Sequence, residues 1–204
     1  EQQGRAVTDV AIIDSGGANI ASLVHALDRL GCDAVLTREP GLIRAARKVI
    51  LPGVGAAADA MTRLTESGLT AIIPALTQPV LGICLCMQLL FEASDEGPAG
   101  CLGILPGSAR RFAAAAGRPV PHMGWNQLDI VREDPLLGGI PSGAYAYFVH
   151  SYALPPGVGT IATCDYGGPF TAAVSHGNFH GTQFHPERSA GVGARILRNF
   201  LETC

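Results

Sequence analysis

The sequence predicts an α/β protein with a mostly parallel central sheet flanked by helices, extended by antiparallel or mixed strands in its C-terminal half. Three observations carry this. Through the first half, buried-strand runs alternate with helical periodicity, the pattern of right-handed crossovers in a parallel sheet. After about Gly97, glycine and proline become frequent and short strand-like runs follow one another. At 204 residues, 48% hydrophobic and 15% charged, the chain can bury one sizeable core, so residues 1–204 read as a single domain.

Val7 to Asp14 reads as a buried strand ending in a polar residue. Ser15-Gly16-Gly17-Ala18-Asn19 is a loop, and Ile20 to Leu30 is a helix stopped by Gly31. Ala34 to Thr37 is a short strand and Gly41 to Arg47 a helix. Val49-Ile50-Leu51 is a buried strand closed by Pro52-Gly53, and Ala56 to Thr65 is helical. Leu69 to Leu76 reads as a further helical piece, limited by Pro74 and ended before Pro79. Val80 to Ile83 is the next strand, and Leu85 to Glu92 continues as a helix. In the second half, Gln127 to Val131, Tyr145 to Tyr152, Thr160 to Cys164, Phe170 to Ser175 and Asn178 to Phe184 are strand-like and expected to extend one edge of the sheet. Ala113 to Ala116 with Gly117 is a loop tip or helical turn, and Ala190 to Glu202 is an amphipathic helix with Leu197, Phe200 and Leu201 on its apolar side.

Several function classes are disfavoured. The net charge is −3 and there is no basic block for a phosphate backbone. No apolar run approaches the roughly 20 residues that span a bilayer. The polar opening Glu1-Gln2-Gln3-Gly4-Arg5 has no secretory apolar core and reads, through residue 6, as an extension outside the fold. None of the six cysteines has C-x-x-C spacing, so a reducing cytoplasm is expected. His176 and His180 sit in a strand pattern interrupted by Gly177, which gives them no common helical face for a metal.

The most informative segment is Val80-Leu81-Gly82-Ile83-Cys84-Leu85-Cys86-Met87-Gln88. It reads as strand, sharp turn and helix, with Cys84 at the turn, where a nucleophile is exposed above a sheet. A helix N-terminus there would favour thiolate over thiol; the alternative is a buried small hydrophobe. A thiol nucleophile needs a base and an orienting acceptor, and Gln183-Phe184-His185-Pro186-Glu187 offers both. Pro186 biases His185 toward extended backbone, so His185 and Glu187 can face one spot, the carboxylate fixing the imidazole tautomer. Acyl transfer also needs donors for an oxyanion. Pro52-Gly53-Val54-Gly55 follows a strand and precedes a helix, and the N–H groups of Gly53 or Val54, with that of Leu85, are candidates; the alternative is an ordinary strand-to-helix turn. Pro121-His122-Met123-Gly124-Trp125-Asn126 has the composition of a partner surface set in a loop, although Trp125 could equally be core.

Together these segments resemble the class I (triad-type) glutamine amidotransferases. The Pro121–Asn126 run and Tyr147-Phe148-Val149-His150-Ser151-Tyr152 resemble, more narrowly, the glutaminase subunits of imidazole glycerol phosphate synthase. The resemblance runs from Val10 to Cys204 and implies a flavodoxin-like sheet and the hydrolysis of glutamine to glutamate and ammonia, with no cofactor and no metal. It implies that Cys84 attacks the side-chain amide to form a glutamyl thioester, that His185 shuttles the proton and that Glu187 orients His185. Gln88, Ser151, Tyr152 and the backbone around Gly53 would contact glutamine. A (β/α)8-barrel cyclase partner would receive the ammonia, meeting the chain at Asn19, His122, Met123, Trp125, Asn126, Tyr145 and Arg188. One departure stands out: the family usually has glycine two residues after the nucleophile, for close strand–helix packing, and this chain has Cys86. A Cβ and sulfur there are expected to shift the turn slightly or to place a second thiol nearby, and to impair or alter glutaminase activity relative to Cys86→Gly. Two other readings use the same residues: a stand-alone thiol hydrolase of γ-glutamyl or peptide bonds, and a non-catalytic binding subunit whose elbow Cys86 spoils.

Overall fold

The structure, a computed structural model, describes residues 8–15, 20–97 and 99–204. The expectations for residues 1–6 and for Asn19 lie outside them. Strands β1 (Val10–Ile13), β2 (Ala34–Thr37), β3 (Lys48–Gly53) and β4 (Val80–Cys84) alternate with helices α1 (Ile20–Arg29), α2 (Pro40–Ala45), α3 (Ala57–Glu66) and α4 (Leu85–Leu89). Then come β5 (Ala93–Ser94), β6 (Ala99–Gly100), β7 (Ser108–Arg111), β8 (His122–Gln127), β9 (Asp129–Ile130), β10 (Tyr145–His150), β11 (Tyr152–Ala153), β12 (Thr160–Asp165), β13 (Pro169–His176), β14 (Phe179–Thr182) and α5 (Ala190–Thr203).

The main sheet has the order β2-β1-β3-β4-β14-β13-β12-β9. Its first five strands are parallel neighbours, the flavodoxin-like 2-1-3-4-5 order with β14 as the fifth strand. β13, β12 and β9 continue it antiparallel, as the sequence predicts for that edge. Successive side chains of a strand point to opposite faces, and here both faces are covered. Val10 and Ile12 join Leu23, Leu27, Ile196 and Phe200 in one core layer. Ala11 and Ile13 join Ile43, Leu64 and Leu69 in the other. Continuous apolar runs such as Val10–Ile13 are therefore what a doubly covered strand requires.

Three expectations are corrected. Not every C-terminal strand extends the sheet: β10 pairs with β8 in a separate two-stranded ribbon, and β11-β7-β5-β6 form a separate four-stranded sheet. The ribbon strands bury alternate residues only, so one face packs and the other meets solvent. The Leu69–Leu76 piece contains only a 3-10 turn, Ile73–Ala75, because Pro74 has no N–H to give an α-helix. The elbow helix ends at Leu89, short of Glu92, and every residue of α4 is buried.

Candidate active site

Cys84 ends β4 at φ 55°, ψ −113°, in the left-handed half of backbone space that an L-residue enters at a cost of about 1–3 kcal/mol. Glycine makes the elbow possible. A Cβ at Gly82 would lie 2.7 Å from the Cys86 carbonyl oxygen, so α4 could not fold back onto β4 with any larger residue there. The turn predicted from sequence is present, with Cys84 beside α4. Because that helix has only five residues, its dipole is a smaller contributor than the sequence suggests.

β14 lies beside β4 in parallel register, Thr182 opposite Ile83. Gln183 and His185 therefore emerge at the same sheet edge as Cys84. His185 Nδ1 and Glu187 Oε1 are 2.8 Å apart, with both side chains about 95% buried. The pairing turns Nε2 toward Cys84, and that nitrogen has no conventional hydrogen-bond partner. Burial works against a charged ring, but contacts with Cys84 and Glu187 outweigh it and raise the His185 pKa to about 10. The ring is thus an imidazolium at neutral pH. The turn that carries it is fixed twice. His185 N donates to Tyr147 O at 3.0 Å. Ser189 Oγ donates to His185 O at 2.7 Å and accepts from Tyr147 N at 2.9 Å.

Cys84 opens onto a cavity of about 360 Å³ lined by Val54, Leu85, Gln88, Ser151 and Tyr152 among the sequence candidates. Gly55, Glu96, Pro121, Val149 and His150 complete the wall. Gly53 does not line it; it lies behind Val54, packed on the Cys86 side chain. A larger depression of about 610 Å³ over Asp134 and Gly139 contains none of the candidates. Gln88 is buried, and its Nε2 donates to Tyr152 O at 2.9 Å and Gln183 Oε1 at 2.8 Å. That amide geometry turns Gln183 Nε2 to the Cys84 sulfur at 3.7 Å.

Sequence reasoning missed Glu96, Gln183 and a role for His150. Glu96 stands twelve residues beyond Cys84, past the short strand β5, and nothing local marks it. Gln183 lay inside the quoted Gln183–Glu187 run, and the alternation of an extended segment, which sets it two residues from His185, was the available signal.

Cys86 is fully buried, and burial pushes its thiol far above the ordinary range, so it remains a thiol facing away from the cavity. Its sulfur fits because position 53 is glycine; a Cβ at Gly53 would overlap the Cys86 sulfur. The elbow is thus kept despite a side chain at 86, which removes the packing reason for expecting the turn to shift.

The predicted partner residues divide. Met123, Trp125 and Tyr145 are exposed on the β8–β10 ribbon. Arg188 stacks on the Tyr147 ring at 4.4 Å, and Trp125 meets Tyr147 edge-on at 6.0 Å. His122, expected on this surface, is buried instead. The segment expected as a loop is strand β8, whose alternation sends His122 inward and Met123 and Trp125 outward. Asn126 is half-buried and bonds both His122 and Asp165 O. Among the described residues no His, Cys, Asp and Glu group could hold a metal, and no helix is long and apolar enough to cross a membrane.

Residues 11–204 match the glutamine amidotransferase class-I family. The chain is 58% identical over 196 residues to the imidazole glycerol phosphate synthase subunit HisH of Xanthomonas euvesicatoria pv. vesicatoria (strain 85-10), covering 96% of this chain and 98% of that protein. It is 55% identical, with the same coverage, to the HisH subunit of Xylella fastidiosa (strain Temecula1). Its fold resembles the crystal structure of a glutamine amidotransferase (TM-score 0.74, 21% identity, 95% of this chain and 97% of that one). It also resembles PurLQS from Thermotoga maritima (TM-score 0.70, 20% identity, 95% and 97%). At those identities the structural likeness speaks for the fold.

Proposed function

The chain belongs to the class-I glutamine amidotransferases, and from that premise we propose that it is the ammonia-generating subunit of an imidazole glycerol phosphate synthase in histidine biosynthesis. Its partner is a cyclase with a (β/α)8-barrel fold, and the pair works in the cytoplasm. The Cys84 sulfur attacks the side-chain amide carbon of glutamine. Val54 and Leu85 backbone N–H groups at the cavity wall receive the oxyanion, a contribution for which one donor is typically worth roughly a hundredfold or more. His185 gives its proton to the departing nitrogen, and ammonia leaves a glutamyl thioester on Cys84. His185, now neutral, takes a proton from water as the water attacks the thioester; glutamate and the free sulfur are regenerated. Glu187 holds the ring in the tautomer both steps need.

The cavity chemistry suits the substrate. Glu96 offers a carboxylate to the α-ammonium of glutamine; burial raises its pKa, and a backbone hydrogen bond from Ala57 offsets part of that rise. Gln88 Oε1 is a buried acceptor without a protein partner, available to an amide or ammonium hydrogen. The exposed Met123, Trp125, Tyr145 and Arg188 form an aromatic and cationic surface of the composition that protein interfaces favour, and we assign the cyclase to it.

The observation that carries this reading is the His185–Glu187 pair at 2.8 Å, with the free ring nitrogen turned to a cysteine held at positive φ. Cys84→Ala is expected to abolish glutamine-dependent synthesis by the complex and to spare synthesis from ammonium salts. Equal loss of both would make the cysteine structural. Turnover of γ-glutamyl conjugates without a cyclase would favour the stand-alone hydrolase, and no preferential labelling of Cys84 by a glutamine-like electrophile would favour the non-catalytic subunit.

A further inference from the structure

Two histidines from the quoted runs have no part in the chemistry above, yet both are buried beside the site. His122 Nδ1 and His150 Nε2 are 2.9 Å apart. His150 Nδ1 is 2.8 Å from the Tyr152 carbonyl oxygen, and Asn126 Nδ2 is 3.2 Å from His122 Nε2.

These contacts fix every proton. A carbonyl only accepts, so His150 Nδ1 carries its hydrogen. Neutral His150 therefore has Nε2 as an acceptor, and the hydrogen between the rings belongs to His122 Nδ1. His122 Nε2 is then an acceptor, matched by Asn126 Nδ2. The Asn126 amide is itself oriented, since Nδ2 also donates to Asp165 O at 2.9 Å and Oδ1 accepts from Gln127 N at 2.8 Å. Both rings are neutral because burial among Phe112, Phe148, Tyr166 and Phe170 disfavours charge; it lowers the pKa of His122 to about 4 and of His150 to about 3.

The donors all run one way, from the ribbon to Tyr152 O. That oxygen also accepts from Gln88 Nε2, whose second N–H is committed to Gln183 Oε1. With both N–H groups taken, the Gln88 amide cannot flip, and its Oε1 is left on the cavity side with no protein partner.

We propose that His122 and His150 are positioning residues for glutamine: a one-way imidazole pair that anchors the Tyr152 carbonyl to the β8–β10 ribbon and thereby sets Gln88 Oε1 toward the substrate. This rests on the glutaminase reading. It also gives the ribbon proposed to receive the cyclase a hydrogen-bonded connection to the substrate wall.

The test has two arms. Nitrogen-15 NMR of the free wild-type chain at pH 7.5 should show both rings neutral and protonated at Nδ1; an Nε2–H tautomer or an imidazolium on either ring overturns the proposal. This arm needs no activity, so an inactive protein would sink the function reading while the tautomers still decide this one. In the second arm, the complex carrying His150→Phe should show a glutamine KM raised roughly tenfold with kcat within about threefold, the scale of one lost buried hydrogen bond. His150→Asn, which keeps a donor near the Nδ1 position, should restore KM to within about threefold of wild type. A folded His150→Phe with wild-type KM, or an Asn variant no better than Phe, overturns it. If His150→Phe does not fold, the tautomers decide.

Discussion

Gly193→Ala should damage catalysis without touching any reacting group. Gly193 sits in the first turn and a half of α5, packed on the turn that carries His185 and Glu187. A Cβ there would overlap the Pro186 carbonyl oxygen and stand 2.6 Å from its carbon, where ordinary contact begins near 3.4 Å. The turn must therefore retreat by the better part of an ångström or more. It cannot do so freely, because Ser189 and Tyr147 hold its other side. A misplacement of about 1 Å in a catalytic group can cost on the order of a hundredfold. The expected result is a fall in glutamine-dependent kcat/KM of roughly ten- to a hundredfold, with ammonium-supported synthesis retained. Stability should fall modestly, since overpacking costs about 1–3 kcal/mol and the better helix propensity of alanine returns up to about 1 kcal/mol. Gly191→Ala is the matched control: it lies on the same helix, and a Cβ there meets nothing within 4 Å. Wild-type kcat/KM in Gly193→Ala, or equal damage from Gly191→Ala, would refute the argument that the helix positions the base.

The raised pKa of His185 makes stability pH-dependent. Because the folded value, about 10, lies above the ordinary value near 6.5, its stabilisation is complete below about pH 6.5 and is lost as pH rises through about 10. Urea unfolding between pH 6 and 10 should show that decline, and His185→Asn should flatten it; an unchanged slope in the variant would contradict the assignment. Cys86→Gly should lower stability by roughly 1–3 kcal/mol, from a lost buried side chain and a helical glycine; an unaltered melting temperature would mean that the sulfur contributes nothing to the seat of Gly53.

What could be read from the sequence was local. The elbow was legible because strand, Gly82 and Cys84 are contiguous, and the His185–Glu187 pair because the two lie close in sequence, although they meet across a 3-10 turn at Pro186–Arg188 and not along the extended backbone expected. The parallel half was legible because doubly buried strands such as Val10–Ile13 carry unbroken apolar runs. Strand partners were not legible, because hydrogen-bond pairing is non-local: Tyr145–His150 has the pattern of a sheet strand, yet it pairs with β8 outside the main sheet. His122 was misplaced for a related reason. Pro121 and Gly124 suggested a loop, and a loop has no inside; once the segment is a strand, period two separates His122 from Met123 and Trp125. Glu96 had no signal at all, since its position on the cavity wall depends on how the short β5 pairs with β6 and β7.

The decisive non-local event is the placement of β14. The chain reaches it through the β12–β13 and β13–β14 antiparallel pairings, so consecutive strands reverse direction. β14 runs parallel to β4, as β12 does and β13 does not, and it is β14 that takes the place beside it. Had β13 docked there, its carboxyl end would point to the opposite edge of the sheet, and the segment after it would emerge far from Cys84. Parallel pairing instead levels Thr182 with Ile83, which sets Gln183 beside Cys84 and lets His185 project just beyond the edge, over the sulfur. A strand of four residues thus decides whether a cysteine and a histidine 101 positions apart in sequence can share a proton. The glycine at 181 belongs to the same requirement, because a Cβ there would run into the Met87 side chain of α4. The elbow helix can lie close over β14 only where the strand presents no side chain, so Cys84 and His185 are brought together by the absence of atoms at Gly82 and Gly181.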